Sequence, residues 1–334
     1  MKQRNAEILL IIVIASRSIS YLLSKIGLNG IPPLELLAIR FALTTLILLL
    51  LFHRRLPLLT RQLWKAAGLL GTFLFACMAC ELISLTTIPS STAAFLENTS
   101  AVWVLILMAV VSHHWPGKQV LTATGLLLIG IACLTLQGAV FHLAPGEIIC
   151  LTGSVFYTIW ICLTARLARQ YDPLLLGILQ MGFLAVYSTV GMVLFESPAV
   201  PADTTTWGAI LALVFICSVF GFTFQPVAQK YTSAEKAGLF TALNPLIAAV
   251  AESTWGEAPW EDRKPLIKKK ALAFASAFLG VIFLGETFTP VQLAGAICIL
   301  LGIIIVQLPE KYRCKTHSCQ NGTCLDKTPP PGLC

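Results

Sequence analysis

The feature that most constrains this chain is a succession of apolar runs, each near bilayer length, broken by short polar clusters. A helix needs about 20 largely apolar residues to cross the hydrocarbon core of a membrane. On that template ten spans fall near residues 6–27, 34–52, 65–87, 92–112, 119–137, 146–168, 174–195, 207–227, a split one from 237 to 284, and 288–307. Backbone N–H and C=O groups must find partners inside lipid, so only helices and closed barrels cross it. Runs of this length without strict alternation select helices. Only 12% of the residues are charged and 57% are hydrophobic, with a mean hydropathy of +0.82. Soluble domains carry about twice that charged fraction, so a single soluble core is excluded.

The charges are sorted along the chain. Lys2 and Arg4, then His53, Arg54, Arg55, Arg61 and Lys65, then Lys118, Arg166 and Arg169, Lys230 and Lys236, and finally Lys311 and Arg313 occupy every second junction. The opposite junctions read GLNGIPP, TTIPSS, QGAVFHLAPGE and ESPAVPADTTTW and contain no Lys or Arg. Basic residues stay on the cytoplasmic side, which predicts both termini in the cytoplasm and an even number of crossings. The same distribution disposes of nucleic acid as a partner. The net charge of +7 comes from helix flanks and not from an interleaved basic and aromatic surface. The opening apolar stretch carries Arg17 in its middle and no small-residue cleavage site after it, so it reads as a first membrane helix and not a secretory signal. Cys77 and Cys80 form a C-x-x-C within an apolar run and lack a second pair at zinc spacing; like Cys133, Cys150, Cys162, Cys217 and Cys298 they read as small hydrophobes.

An internal repeat is also visible. LELLAIR at 34–40 and LLLGILQ at 174–180 each lead into an apolar span, and STAAFLENTSAVWVLILMAV from Ser91 is echoed by SAEKAGLFTALNPLIAAV from Ser233. The offsets are 140 and, aligning Ala101 with Pro245, 144. The fold class expected is therefore an all-α membrane protein of ten transmembrane helices arranged as two inverted five-helix repeats, residues 1–141 and 142–308, followed by a polar cytoplasmic tail, 309–334. An odd number of helices per unit inverts the second copy, the architecture of many secondary transporters.

Several stretches resemble the EamA-like family of the drug/metabolite transporter superfamily. YLLSKIGLNGIPPLELLAIRFALTTLILLLL looks like that family's opening pair of helices, with Lys25, Pro32, Pro33 and Arg40 as landmarks. ELISLTTIPSSTAAFLENTSAVWVLIL has its short turn and small-residue fourth helix. YTSAEKAGLFTALNPLIAAV and FLGETFTPVQLAGAICILLGIIIV carry its Asn-Pro, its Gly-Glu and its Gly-spaced last helix. The likeness covers about residues 6–308 and rests on the order and spacing of these landmarks. It implies a secondary transporter, most often an exporter, moving amino acids, related metabolites or drugs across a bacterial cytoplasmic (inner) membrane without a cofactor. Three departures stand out. Lys118 lies near the place of an expected Glu, and IASRSISY replaces a common Trp-Gly pair. The third is a charged insertion near 251–273, which holds nine charges in the nineteen residues from Glu252 to Lys270. A charge at the bilayer centre costs about 2.5–3.5 kcal/mol even on a lenient scale. Two readings stay open, a natural surface excursion and an insertion foreign to the fold, and in both the ninth helix is expected to be disrupted or extended.

Ionisable groups within spans usually face a cavity or a partner. Arg17, Arg40 and Glu81 are candidates for charge coupling or for structural pairing. Glu97, beside Asn98 in the small-residue fourth span, is the leading functional candidate. Low dielectric favours the protonated form of a carboxyl, which suits proton coupling. Either acid could meet a cationic group of the solute and either arginine a carboxylate; Arg40 could equally staple the fold to a carboxylate or a helix-end carbonyl. Trp103, Tyr157, Trp160, Gln180 and Asn244 complete the substrate-binding set, with Gln225 as a further amide in a span. Tyr157 and Trp160, three apart, share a helix face, and Asn244 precedes Pro245, which frees a carbonyl at depth. Gly125, Gly130, Gly295 and Gly302 are expected to permit close helix packing. The tail's Cys314, Cys319, Cys324 and Cys334 with His317 fit no common zinc spacing, so no metal is expected. The partners expected are a small-molecule substrate and membrane lipids, with protons and a homodimeric second copy left open. The rival readings are a sugar-nucleotide or sugar-phosphate carrier and a non-transporting scaffold. No G-x-x-x-x-G-K-[ST], H-E-x-x-H or G-x-S-x-G motif supports an ATPase or an enzyme.

Overall fold

A computed structural model describes residues 3–88, 93, 96–112, 117–135, 144–197 and 203–241, and 291, 294, 295, 297, 298, 301, 302 and 305 of the last span. Within these residues every regular element is a helix. In chain order they are α1 (Gln3–Leu28), α2 (Pro33–Phe52), α3 (Arg61–Leu85), α4 (Ser100–Ser112), α5 (Lys118–Thr135), α6 (Pro145–Gln170), α7 (Pro173–Phe195), α8 (Thr204–Gln229) and α9 (Ala234–Phe240). Six of them, α1, α2, α3, α6, α7 and α8, are long and apolar enough to cross a membrane. The isolated described residues from Val291 to Ile305 are helical as well, at the place of the last expected span. The charged insertion, the tail and Asn244 lie outside the described residues.

The helix starts follow local chemistry. Pro33, Pro145 and Pro173 open α2, α6 and α7, where their missing N–H costs nothing. Thr60, Asp172, Asp203 and Ser233 cap α3, α7, α8 and α9 by accepting from backbone N–H groups of the first turn. Asp203 lies in water, and its hydrogen bonds from Thr206 hold the carboxyl below the ordinary aspartate range.

Polarity is turned inside out relative to a soluble protein. Leu50 is 67% and Phe195 80% exposed, while Arg40 is 1% and Gln180 and Gln225 are 0% exposed. Apolar side chains thus cover the outside and polar ones the centre, the distribution expected when the solvent is lipid.

Helix α2 lies against α7 in antiparallel register. Gly191 faces Leu34 and Gly182 faces Thr45. Beyond these contacts both ends are clipped: Glu196 accepts from the backbone N–H of Leu34 at 2.9 Å and of Glu35 at 2.8 Å, and Arg55 meets Asp172 at 3.5 Å. Helix α3 runs antiparallel to α6, with Thr87 against Gly146 and Cys80 against Gly153. Helix α1 runs antiparallel to α8, with Gly30 against Thr206 and Arg17 against Gly221. In addition α1 touches α9 and α4 touches α6.

These pairings gather the Lys- and Arg-free junctions at one end. Gly30 meets Thr206, Leu34 meets Glu196, Thr87 meets Gly146, and Leu28 packs on the cluster of Leu85, Ile88 and Cys150. At the basic junctions Arg55 pairs with Asp172, and Glu7 with Lys236 at 2.8 Å. The expected glycine packing is met at Gly302, where an added Cβ would lie 2.9 Å from Leu127, but not at Gly125, which faces open space. That side of α5 has no described neighbour close enough to need a glycine.

Candidate functional site

The centre of the bundle is organised by a defect in α8. Residues Leu213–Phe222 are π-helical, a wider winding often found at functional sites, and Pro226 follows inside the same helix. Proline has no N–H to give to the carbonyl four residues earlier, that of Phe222. Gln180 of α7 takes its place, donating from Nε2 to the Phe222 oxygen at 3.2 Å while its Oε1 accepts from Trp160 Nε1 at 3.1 Å. The approach of α7 to α8 that allows this needs Gly177, since a Cβ there would sit 2.2 Å from the Thr223 oxygen.

The Phe222 ring so fixed attracts both guanidinium groups of the centre. Arg17 Cζ lies 3.8 Å from its centroid and Arg40 Cζ 5.8 Å, within cation–π range. Arg17 donates from Nη1 to Tyr157 Oη at 2.7 Å and to Gln225 Oε1 at 2.6 Å. Arg40 donates from Nε to Ser218 Oγ at 2.8 Å and from Nη1 to Ser20 Oγ at 3.3 Å. Tyr157 stacks on Trp160 at 5.5 Å with a 19° interplanar angle, as their shared face predicts.

A chamber opens beside this cluster, lined by Arg17, Ser20, Tyr21, Met78, Glu81, Glu97 and Phe222. Its free volume is about 10 Å³, room for about one water. The Tyr21 hydroxyl donates to Glu97 Oε2, and Cys77 Sγ lies 4.0 Å from Glu97 Oε1. Glu81 and Glu97 are each 4% exposed. Among the described residues the two acids and two arginines form no ion pair with one another. Arg17 Nε, Arg40 Nη2 and Gln225 Nε2 are buried donors that find no acceptor there.

Eight of the residues singled out from sequence therefore meet: Arg17, Arg40, Glu81, Glu97, Tyr157, Trp160, Gln180 and Gln225. Arg40 takes neither of its expected structural partners, a carboxylate or a helix-end carbonyl; its partners are serine hydroxyls, because α8 brings Ser218 to it at the π turn. Glu97 precedes a turn at Thr99 and does not sit in an unbroken helix. Asn98 is buried, 1% exposed, and does not line the chamber. Trp103 stays apart. The inner edge of α4 runs through Ser100, Ala101 and Val104, and at about 100° per residue Trp103 turns outward and is 40% exposed. Asn244 lies outside the described residues. Sequence reasoning missed Tyr21, Ser20, Ser218, Met78 and Phe222. Arg17, Ser20, Tyr21 and Ser24 form a buried stripe at spacings of three, four and seven, a signal that could have found two of them. No group of three metal-binding side chains occurs among the described residues.

A polytopic bundle of apolar helices around a small chamber lined by charged and polar side chains defines the class of integral membrane transport proteins. The EamA-like transporter family model matches residues 4–136 and again 144–259; the chain belongs to the EamA-like transporter family. It is 23% identical to the Uncharacterized transporter YyaM of Bacillus subtilis, over 95% of this chain and 99% of that protein. It is 24% identical to a Salmonella typhimurium protein named "Probable amino-acid metabolite efflux pump", over 90% and 94%. A solved crystal structure matches with a TM-score of 0.69 and 15% identity, covering 92% of this chain and 98% of the other, a likeness of fold.

Proposed function

We propose that this protein is a secondary exporter of small zwitterionic metabolites, amino acids foremost, working by alternating access between two inverted five-helix repeats in a bacterial inner membrane, with both termini cytoplasmic. The observation that carries the reading is the central chamber, lined by Glu81, Glu97 and Arg17 with Arg40 nearby at the Phe222 ring, where these acids and guanidiniums form no ion pair among the described residues. A solute with an ammonium and a carboxylate satisfies both kinds of group. The unfilled donors of Arg17, Arg40 and Gln225 suit its carboxylate, and the Salmonella relative's printed name points to the same class of cargo. A phosphorylated or nucleotide cargo would meet two acids in addition to the arginines, which disfavours the sugar-nucleotide alternative.

The repeat reading, with units 1–141 and 142–308, has independent support. The family model matches the chain twice, and α2 and α7, mates at the 140-residue offset, run antiparallel. One contact also recurs at that offset, Ser20 with Arg40 and Trp160 with Gln180. The binding set proposed is Arg17, Arg40, Glu81, Glu97, Tyr157, Trp160 and Gln180, with Asn98 flanking it, and Glu97 is assigned the exchangeable proton. The test is flux of radiolabelled phenylalanine and threonine in proteoliposomes, with and without an imposed proton gradient. Gradient-driven flux in the wild type, reduced in Glu97→Gln to the level without a gradient, is the expected result. Absence of amino-acid flux in the wild type refutes the cargo assignment, and gradient-driven flux in Glu97→Gln refutes the coupling assignment.

A further inference from the structure

Of the four charged side chains at the centre, three are held. Arg17 is fixed by Tyr157 and Gln225, Arg40 by Ser218 and Ser20, and Glu97 by the Tyr21 hydroxyl. Glu81 differs. It lines the chamber, is 4% exposed, and its carboxyl accepts no hydrogen bond among the described residues. Its helix is fixed nonetheless: Cys80, the residue before it, packs on Gly153 of α6, so the carboxyl projects from a rigid wall. The Glu81 carboxyl is not among the enclosed unpaired polar atoms; it faces the chamber, where a ligand can supply the donor that no described residue does. Arg17 and Arg40 are near enough to act on Glu81 electrostatically but do not bond to it.

We infer that Glu81 is the specificity-determining residue of this carrier, the acceptor for the cargo's primary ammonium group, and that it excludes solutes in which that group is absent or acylated. The inference rests on the amino-acid reading above and divides the two acids. Glu81 reads the cargo's cation, while Glu97, whose carboxyl is engaged by Tyr21, lines the same chamber and holds the exchangeable proton. An ammonium has three donors to offer and fits an acid with no protein donor. N-acetylation removes the positive charge and leaves an anion to face two carboxyls.

The experiment uses the full chain in proteoliposomes preloaded with either phenylalanine or N-acetylphenylalanine, with downhill efflux measured at equal pH on both sides so that no imposed proton gradient drives it. The quantity read is the ratio of the two rates, which does not depend on how much reconstituted protein is active. The wild type should prefer free phenylalanine at least about tenfold, the factor that 1.4 kcal/mol of discrimination gives. In Glu81→Gln, which keeps the shape and removes the charge, the ratio should fall at least about tenfold, and Glu81→Asp should recover part of it. Glu97→Gln should leave the ratio unchanged. A ratio unchanged in Glu81→Gln, or one that shifts in Glu97→Gln instead, overturns the inference and leaves the amino-acid reading standing. A wild type that carries neither phenylalanine nor threonine overturns both.

Discussion

The link between Gln180 and the Phe222 carbonyl yields a prediction that can be worked through in energy. Gln180→Leu removes two hydrogen bonds at once, from Trp160 Nε1 and to the Phe222 oxygen, at a position 0% exposed. Hydrogen bonds between membrane helices average about 0.6 kcal/mol and reach about 1.7 kcal/mol in double-mutant cycles, so the pair should cost about 1–3 kcal/mol. The explanation offered for the second bond is that Pro226 cannot donate to the Phe222 oxygen. Pro226→Ala supplies that N–H within α8 itself. Gln180→Leu should therefore cost less in the Pro226→Ala background, by about 1 kcal/mol, because only the Trp160 bond then remains to be lost. Unfolding of the purified protein in mixed micelles titrated with SDS gives the four free energies of the cycle. If the two costs of Gln180→Leu agree within about 0.3 kcal/mol, the limit of simple additivity, Gln180 does not substitute for the missing proline donor.

Two further substitutions test the packing around the chamber. Gly177→Val places a side chain where even a Cβ lies 2.2 Å from the Thr223 oxygen, and should lower stability in the same micelles by about 1–3 kcal/mol, the cost of overpacking; an unchanged unfolding curve would mean that α7 and α8 are not in contact at that point. Glu196→Ala removes two charge-assisted acceptors from the first turn of α2 and should cost about 0.5–2 kcal/mol given its partial exposure, with Glu196→Gln intermediate. Equal stability of Glu196→Ala and the wild type counts against the clip between α2 and α7.

Much of the frame was legible because lipid imposes simple rules. Run length marks the spans and sparse basic residues mark alternate junctions, and an Arg or Glu within a span is rare enough to be noticed. That is why Arg17, Arg40, Glu81 and Glu97 could be singled out before their neighbours were known. Tyr21, Ser20, Ser218 and Phe222 could not be singled out in the same way, since serines and aromatics are ordinary in membrane helices and their importance comes from contacts across the bundle. Ser218 meets Arg40 across 178 positions and Gln225 meets Arg17 across 208. Trp103 shows the converse: it was noticed for its residue type, but the face of α4 it occupies depends on which of the two sides of that helix the bundle covers. The π turn of α8 was hidden as well, because Gly221 and the following Pro226 mark a weak point in the helix without specifying the winding it takes.

Among the described residues the centre holds no ion pair, and its charges are unevenly distributed between the halves. Arg17, Arg40, Glu81 and Glu97 all come from the first half, and the second half answers with neutral groups: Tyr157, Gln225, Ser218, Trp160, Gln180 and Phe222. The bonds from Arg17 to Tyr157 and Gln225, and from Arg40 to Ser218, join one half to the other. The bonds of Ser20 with Arg40, Tyr21 with Glu97 and Trp160 with Gln180 stay within a half. In the rocking motion proposed above, the first set would break and the second would be spared. Separating a buried ion pair leaves an uncompensated charge, at about 3–5 kcal/mol when one partner is lost, whereas a single hydrogen bond in a membrane bundle costs about 0.6 kcal/mol on average. Under that proposal, neutral partners between the halves would keep the barrier low and leave the charges available to a solute. The ion pairs that do join the halves, Glu7 with Lys236 and Arg55 with Asp172, lie at the basic end, where the side chains reach water and separation costs less.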